Sequence, residues 1–222
     1  MNMILILYIW NGRKMGLTEL EKFLKSISDV LASVEIELRG RLFPEKLIVM
    51  EGAKNLRKIE FPHLVGEMGN VPLEIDFSLY SDTGDKRQEL ENLQRYFSPY
   101  LKIFFKLTRT PVVFLMYPET GTFFDQISKK LGILQDIKVG DQDIDDKFLI
   151  QSDNPDKVVG FISSPQVRST LRRLDYPIRL EFKDSALLYA GKPFEDERFS
   201  AEYLRETLAS LKILAESYIN LE

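Results

Sequence analysis

The chain has 222 residues, of which 44% are apolar and 29% charged, with a formal charge of -4. It has no cysteine and one histidine, which excludes disulfides, zinc–thiolate sites, cysteine nucleophiles and multi-histidine metal sites. The acidic balance gives no support to general nucleic-acid binding, which depends on a basic face. A cysteine-free chain fits a reducing compartment, so we expect a cytoplasmic protein.

The first element is an apolar run over residues 4–10 that no Lys or Arg precedes. As a helix it would span only about 10 Å of a hydrocarbon core of about 30 Å, so it predicts no transmembrane segment. The missing basic region also argues against a signal peptide. Three interpretations stay open: a buried strand, a non-native extension with Met15 as the true start of the chain, and a weak membrane-surface anchor that would give peripheral membrane association.

A capping box opens the first helix. Thr18 and Glu21 stand three residues apart, and apolar residues follow at helical spacing, which predicts a helix over 19–33. Alternating apolar and polar residues then predict three strands, at 35–39, 46–51 and 58–61.

Two breaks interrupt these predicted strands. Phe43-Pro44 separates the first from the second, and residues 62–70, with two glycines, predict a loop. The lone His63 lies in that loop, where we expect a structural role rather than a catalytic one. Strict alternation of apolar and polar residues over 71–79 next predicts a strand with one solvent-exposed face, which favours antiparallel pairing.

The middle of the chain is rich in aromatic residues. A helix is predicted over 86–97, and two alternating runs at 101–107 and 112–117 predict a hairpin. Thr122 predicts the cap of a short helix through Leu131, with Gly132 as the residue that follows its C-terminus. Lysines alternate with the aromatic side chains, as on surfaces that stack RNA bases. We interpret the aromatic residues as core and the lysines as the solvent-exposed face of the hairpin.

The last third is predicted to contain three helices and a hairpin. Asn154-Pro155 and Ser164-Pro165 each predict a helix start, with a proline at the first helical position. A hairpin over 178–190 and a final helix beginning at Ser200 follow. The sequence therefore predicts an α+β fold of mostly antiparallel sheet with about six helices. We expect a single compact unit over 1–222. The alternative is an N-terminal subdomain over 1–84 and a C-terminal subdomain over 85–222.

Acidic residues concentrate around one short apolar segment between residues 139 and 155. Asp141, Asp143 and Asp145 have the spacing of the first three ligands of an EF-hand, so Ca²⁺ or Mg²⁺ binding is one hypothesis. The motif lacks the glycine at its sixth position and the glutamate at its twelfth, which are Asp146 and Ser152 here. The other interpretation is a solvated acidic turn whose carboxylates cap nearby backbone N–H groups.

Four arginines gather between residues 168 and 179. Arg168 and Arg172 are four apart and so lie on one face of a predicted helix, and Arg179 follows on a predicted strand. They are candidates for binding a phosphate, a nucleic-acid ligand or an acidic partner. The alternative is a solvated helix face paired with nearby carboxylates.

One series of features comprises a helix ending at Leu131-Gly132, then Val139-Gly140-Asp141, then an Asp145-x-x-Phe148-x-Ile150-x-Ser152-x-Asn154 pattern. A helix start at Ser164-Pro165-x-Val167-Arg168 and a final hairpin and helix follow. Over about residues 100–220 this series resembles an uncharacterised domain family of bacteria and archaea. Some members of that family carry membrane spans upstream. The resemblance implies a prokaryotic protein and carries over no catalytic residues.

These patterns support three functional hypotheses. The first is a non-catalytic binding or scaffolding module that takes a protein partner. The second is a divalent-metal-dependent hydrolase that uses Asp141, Asp143 and Asp145. The third is a phosphate or nucleic-acid ligand binder that uses Arg168, Arg172 and Arg179. The sequence contains no nucleotide-binding glycine loop and no serine-hydrolase motif.

Overall fold

The computed structural model describes residues 8–10, 13–15, 17–51, 55–78, 100–118, 136–174, 177–194 and 198–221. The helices in these residues are α1 (Leu17–Glu35), α2 (Gln142–Asp145), α3 (Pro155–Ser163), α4 (Pro165–Arg173) and α5 (Ala201–Ile219). The strands are β1 (Tyr8–Trp10), β2 (Arg13–Met15), β3 (Arg41–Glu51), β4 (Asn55–Met68), β5 (Val71–Ser78), β6 (Tyr100–Lys106), β7 (Phe114–Pro118), β8 (Phe148–Ser152), β9 (Pro177–Lys183) and β10 (Ala186–Gly191).

The fold is α+β, as the sequence predicts. Strands β3 to β10 form one eight-stranded sheet in the order β3-β4-β5-β6-β10-β9-β7-β8, and β1 pairs with β2 as a separate antiparallel hairpin. The described part of the chain holds five helices rather than about six. Two predicted helices, over 86–97 and 122–131, lie outside the described residues, whereas α2 was not predicted.

The predicted hairpin of β6 with β7 is wrong. In the sheet, β10 and β9 lie between β6 and β7, so the two consecutive strands are not neighbours. Strand β7 pairs instead with β9, with Phe114 opposite Phe182, and with β8 on its other side. Alternation identified both strands correctly, but it carries no information about which strand lies beside which.

Three local predictions near the start of the sheet are also wrong. Residues 36–39 form a turn that follows α1 rather than a strand, and Arg39 takes a positive φ of 44° there. Strand β3 continues through Phe43-Pro44, and β4 continues through the predicted loop as far as Met68. The two prolines Pro44 and Pro62 lie directly opposite each other. A proline removes one backbone donor, which is best tolerated on an edge strand such as β3, whereas β4 is an interior strand.

The predicted hairpin of β9 and β10 is confirmed. Leu187 lies opposite Phe182 and Tyr189 opposite Leu180 in an antiparallel register. Its two-residue turn, Asp184-Ser185, has φ values of 52° and 57°. Positive φ at both turn residues is the geometry that matches the twist of the flanking strands.

The predicted helix starts are confirmed as well. The side chain of Asn154 accepts a hydrogen bond from the N–H of Lys157, and Pro155 is the first residue of α3. The Ser200 hydroxyl accepts from the N–H of Tyr203 at the start of α5. Ser164 precedes α4 without a side-chain cap, and Pro165 is again the first helical residue.

The chain divides into two compact units. The first comprises Met1–Gly69, Glu74–Lys102 and Lys192–Tyr203, and the second comprises Asn70–Leu73, Ile103–Gly191 and Leu204–Glu222. Neither is a contiguous piece of chain.

Aromatic clusters mark the core of each unit. In the first unit Phe194 packs against Phe23, Phe77 and Phe199, with ring centroids 4.9–5.6 Å apart. In the second unit, the rings of four residues cluster in the same way: Phe114, Phe161, Phe182 and Tyr218.

Among the helices that the structure describes, none is both long enough and apolar enough to cross a membrane.

The two edge strands of the sheet are covered in different ways. At β8, the N–H of Ile137 donates to the carbonyl of Ile150, and the N–H of Ile150 donates to the Asp136 carboxylate. At β3, the N–H of Leu42 donates to the Glu35 carboxylate 2.8 Å away. These bonds occupy the backbone donors of Ile150 and Leu42, which limits pairing with another chain at those two positions. The segment over residues 136–139 that covers β8 leads directly into the acidic stretch.

Candidate functional site

The acidic stretch folds into the short helix α2, and Asp141 is its N-cap. Asp141 has extended backbone angles, and its Oδ1 atom accepts from the N–H of Ile144. Ile144 is fully buried and anchors the turn to the second unit's core. The Asp141 side chain is only 1% exposed, which is unusual for a carboxylate without a partner.

The partners of Asp141 are two of the predicted arginines. Its Oδ2 atom lies 2.8 Å from Nη2 of Arg172 and 3.2 Å from Nε of Arg168. Nε of Arg172 lies 3.2 Å from Oδ2 of Asp143. We call these four residues, Asp141, Asp143, Arg168 and Arg172, the Asp141 cluster. The arginine side chains are 36% and 47% exposed, and that of Asp143 is 71% exposed.

Asp145 has a different role from the other two aspartates. Its carboxylate oxygens accept from the N–H groups of Val139, at 2.8 Å, and Gly140, at 3.0 Å. Gly140 has a φ of 73°, a conformation that glycine adopts without strain. Asp145 therefore fixes the chain on the way into α2, as the capping interpretation of the acidic turn predicts.

Lys147 connects the same turn to the far end of α4. Its Nζ atom donates to the carbonyls of Leu171, Arg172 and Leu174. The last carbonyls of a helix have no partner within the helix, and a cation there also complements the helix dipole. Sequence reasoning missed this residue because the pairing spans more than twenty positions.

The geometry joins two candidate sites that the sequence kept apart. The prediction of a solvated acidic turn is wrong for Asp141, which is buried against Arg168 and Arg172. The four charges of the Asp141 cluster sum to zero. Among the described residues no group of three or more His, Asp or Glu side chains is placed to hold a metal ion. The metal hypothesis for Asp141, Asp143 and Asp145 stays a prediction.

Arg179 does not join the cluster. It lies on β9, two residues from Glu181, and the two side chains form an ion pair. Neighbouring side chains on the same face of a strand are separated by two residues, so this pairing follows from strand geometry.

A second candidate surface lies on β3 and β4 of the first unit. Arg41 is directly opposite Val65, and Phe43 is directly opposite His63, so all four side chains share one face of the sheet. The Arg41 guanidinium lies 5.0 Å above the Phe43 ring, and the rings of Phe43 and His63 are 6.4 Å apart. We call Arg41, Phe43, His63 and Val65 the β3–β4 surface.

The β3–β4 surface exposes large apolar side chains. Phe43 is 38% exposed and Val65 is 37% exposed, and Ile36, in the turn before β3, is 89% exposed. Charged groups flank the surface: Arg39 pairs with Glu67 at 3.1 Å, and Nε2 of His63 is 3.8 Å from a Glu74 oxygen. The sequence did not predict it because Phe43-Pro44 and residues 62–70 read as breaks.

No protein-family model matches the chain, and a search of the curated proteins finds no match. The resemblance over residues 100–220 to a bacterial and archaeal domain family therefore stays a prediction.

Proposed function

We propose that this protein is a non-catalytic binding module that docks a protein partner on the β3–β4 surface. The observation that carries the proposal is Phe43, an exposed aromatic ring on a sheet face, with Arg41 stacked over it and Val65 beside it. Aromatic residues and arginine are the types that concentrate binding energy at protein interfaces. An apolar centre with charged residues around it is the usual arrangement of such interfaces.

The occupant that fits this surface is an apolar segment of another protein. Fully burying an aromatic or aliphatic side chain contributes about 1.5–3 kcal/mol, and just over a third of Phe43 and of Val65 is still exposed, so the two together can contribute about 1–2 kcal/mol to binding. The pair of Arg39 with Glu67 lies next to the surface and supplies charges of both signs for orienting a partner.

The Asp141 cluster supports the same conclusion by the way it uses its charges. Its two carboxylates pair with the two guanidiniums, and the Asp145 carboxylate accepts hydrogen bonds from backbone N–H groups. This arrangement holds α4 against α2, and it engages Asp141, Asp143 and Asp145 in structural contacts within the described part of the chain. The metal-dependent hydrolase hypothesis has no comparable support among the described residues.

The test compares the wild-type protein with the double variant Phe43→Ser and Val65→Ser. Cross-linking in cells followed by quantitative mass spectrometry would identify partners, and calorimetry with the purified partner would measure affinity. We expect at least a tenfold loss of affinity, which corresponds to about 1.4 kcal/mol.

The control is Arg173→Gln, an exposed position on α4 that the β3–β4 surface does not use. It should leave the affinity unchanged. Equal binding by the wild type and the double variant would contradict the proposal. Sedimentation velocity would show whether the occupant is instead a second copy of this chain.

A further inference from the structure

The ion pairs of the Asp141 cluster do not use all the guanidinium N–H groups of its two arginines. Nε of Arg168 is buried, and among the described residues its contact is the ionic one with Asp141 at 3.2 Å, so the Nη groups of Arg168 are the donors that a ligand would meet. Its Nη groups take part in none of the described hydrogen bonds. Both arginine side chains are partly exposed, whereas that of Asp141 is buried. A ligand can therefore reach the arginines but not the carboxylate that holds them.

Asp141 places the two guanidiniums before a ligand arrives. Arg168 and Arg172 are four residues apart on α4, a spacing at which like charges repel each other. Their shared contact with one buried oxygen, Oδ2 of Asp141, offsets this repulsion. Groups that are already oriented lose less conformational entropy when a ligand binds.

We propose that Arg168 and Arg172 form a binding site for a phosphate group. The planar guanidinium fork matches the oxygens of a phosphate, and two neighbouring forks can engage one dianion. This site uses none of the residues of the β3–β4 surface, so it goes beyond the docking function proposed above. The expected ligand is a small phosphate monoester or inorganic phosphate.

Asp143 is the group that the phosphate displaces. Its largely exposed carboxylate lies 3.2 Å from Nε of Arg172. Exposed ion pairs of this kind contribute little to stability. A phosphate monoester carries a charge of about -1.5 to -2 at neutral pH and so outcompetes a single carboxylate. Asp141 stays in place because it is buried and also caps α2.

The probe is inorganic phosphate, titrated calorimetrically into the full-length protein at constant ionic strength. We expect saturable binding that chloride and acetate do not reproduce. Arg168→Gln should weaken it at least tenfold, and Arg168→Lys, which keeps the charge but loses the fork, should weaken it severalfold. Asp143→Asn should strengthen it about threefold, because it removes one like charge roughly 6 Å from the ligand, whose repulsion salt partly screens.

The matched control is Arg173→Gln on the same helix. Arg173 is exposed, and its Nε donates to the Ser169 carbonyl rather than to the cluster. It should bind phosphate as the wild type does. The proposal is overturned if chloride or acetate binds as well as phosphate, or if Arg173→Gln loses as much affinity as Arg168→Gln. It is also overturned if Asp143→Asn weakens binding.

Discussion

Replacing Asp141 should be the most damaging change among the aspartates of the acidic stretch. In Asp141→Ala, Arg168 and Arg172 lose their shared carboxylate, and α2 loses its N-cap. Removing one partner of a fully buried ion pair costs about 3–5 kcal/mol, whereas an exposed pair is worth about 0–1 kcal/mol. Because both arginines are partly exposed and regain water, we expect an intermediate loss of about 2–3 kcal/mol, to which the missing cap contributes about 1 kcal/mol.

Urea denaturation and thermal melts would measure this loss. For a chain of this length, about 1 kcal/mol lowers Tm by about 2–4 °C, so Asp141→Ala should melt about 4–12 °C lower. Asp143→Ala, at an exposed position, should change the free energy of unfolding by less than about 0.5 kcal/mol. A double-mutant cycle of Asp141→Ala with Arg172→Ala should give a coupling energy of about 1–2 kcal/mol. Equal stability of the two aspartate variants would refute the reasoning.

Three further predictions concern the backbone and one buried hydroxyl. Ser185→Gly should raise the free energy of unfolding by about 0.5 kcal/mol in urea melts, because glycine adopts the φ of 57° freely, whereas Ser185→Ala should show no gain. Gly66→Ala should lower the free energy of unfolding by about 1–3 kcal/mol, because its Cβ would lie 2.7 Å from the carbonyl oxygen of Leu38 and 2.8 Å from Cα of Gly40. The matched variant Gly160→Ala, on α3 with open space around it, should instead raise the free energy of unfolding by about 0.5–1 kcal/mol. A similar change in stability for both variants would contradict the structure. Burial raises the pKa of the Tyr218 phenol above its usual value of about 10. Because the folded state then holds this proton more tightly than the unfolded state, the free energy of unfolding falls as the pH rises above about 10. Tyr218→Phe should reduce that alkaline decline, and at neutral pH it should cost about 1 kcal/mol by leaving the Val112 carbonyl without its donor.

Local patterns predicted individual elements well. The helix starts at Pro155 and Pro165 and the cap at Ser200 were all readable from the sequence. The hairpin of β9 and β10 was equally clear, because its two strands alternate and only two residues connect them. These features depend on neighbours within a few positions, which is the range over which caps and tight turns form hydrogen bonds.

Predictions failed where a local break signal competed with pairing over a longer range. Phe43-Pro44 predicted a break and residues 62–70 predicted a loop, yet β3 pairs with β4 through Phe43-Pro44 as far as Arg41 opposite Val65. The residue pairs on either side of Pro44 and Pro62 keep the two strands together across the prolines. The β3–β4 surface, with Phe43 opposite His63, therefore became visible only in the fold.

The candidate site shows the same division. The sequence by itself determined that Asp141 and Asp143 lie in an acidic turn and that Arg168 and Arg172 share a helix face. It also determined an α+β chain whose histidine and cysteine content excludes several classes of chemistry. The tertiary structure alone decided that these acids and bases meet, and that Asp141 is buried while Asp143 is exposed. Charge attraction has no preferred separation along the chain, so which carboxylate finds which guanidinium depends on how the sheet brings α2 and α4 together.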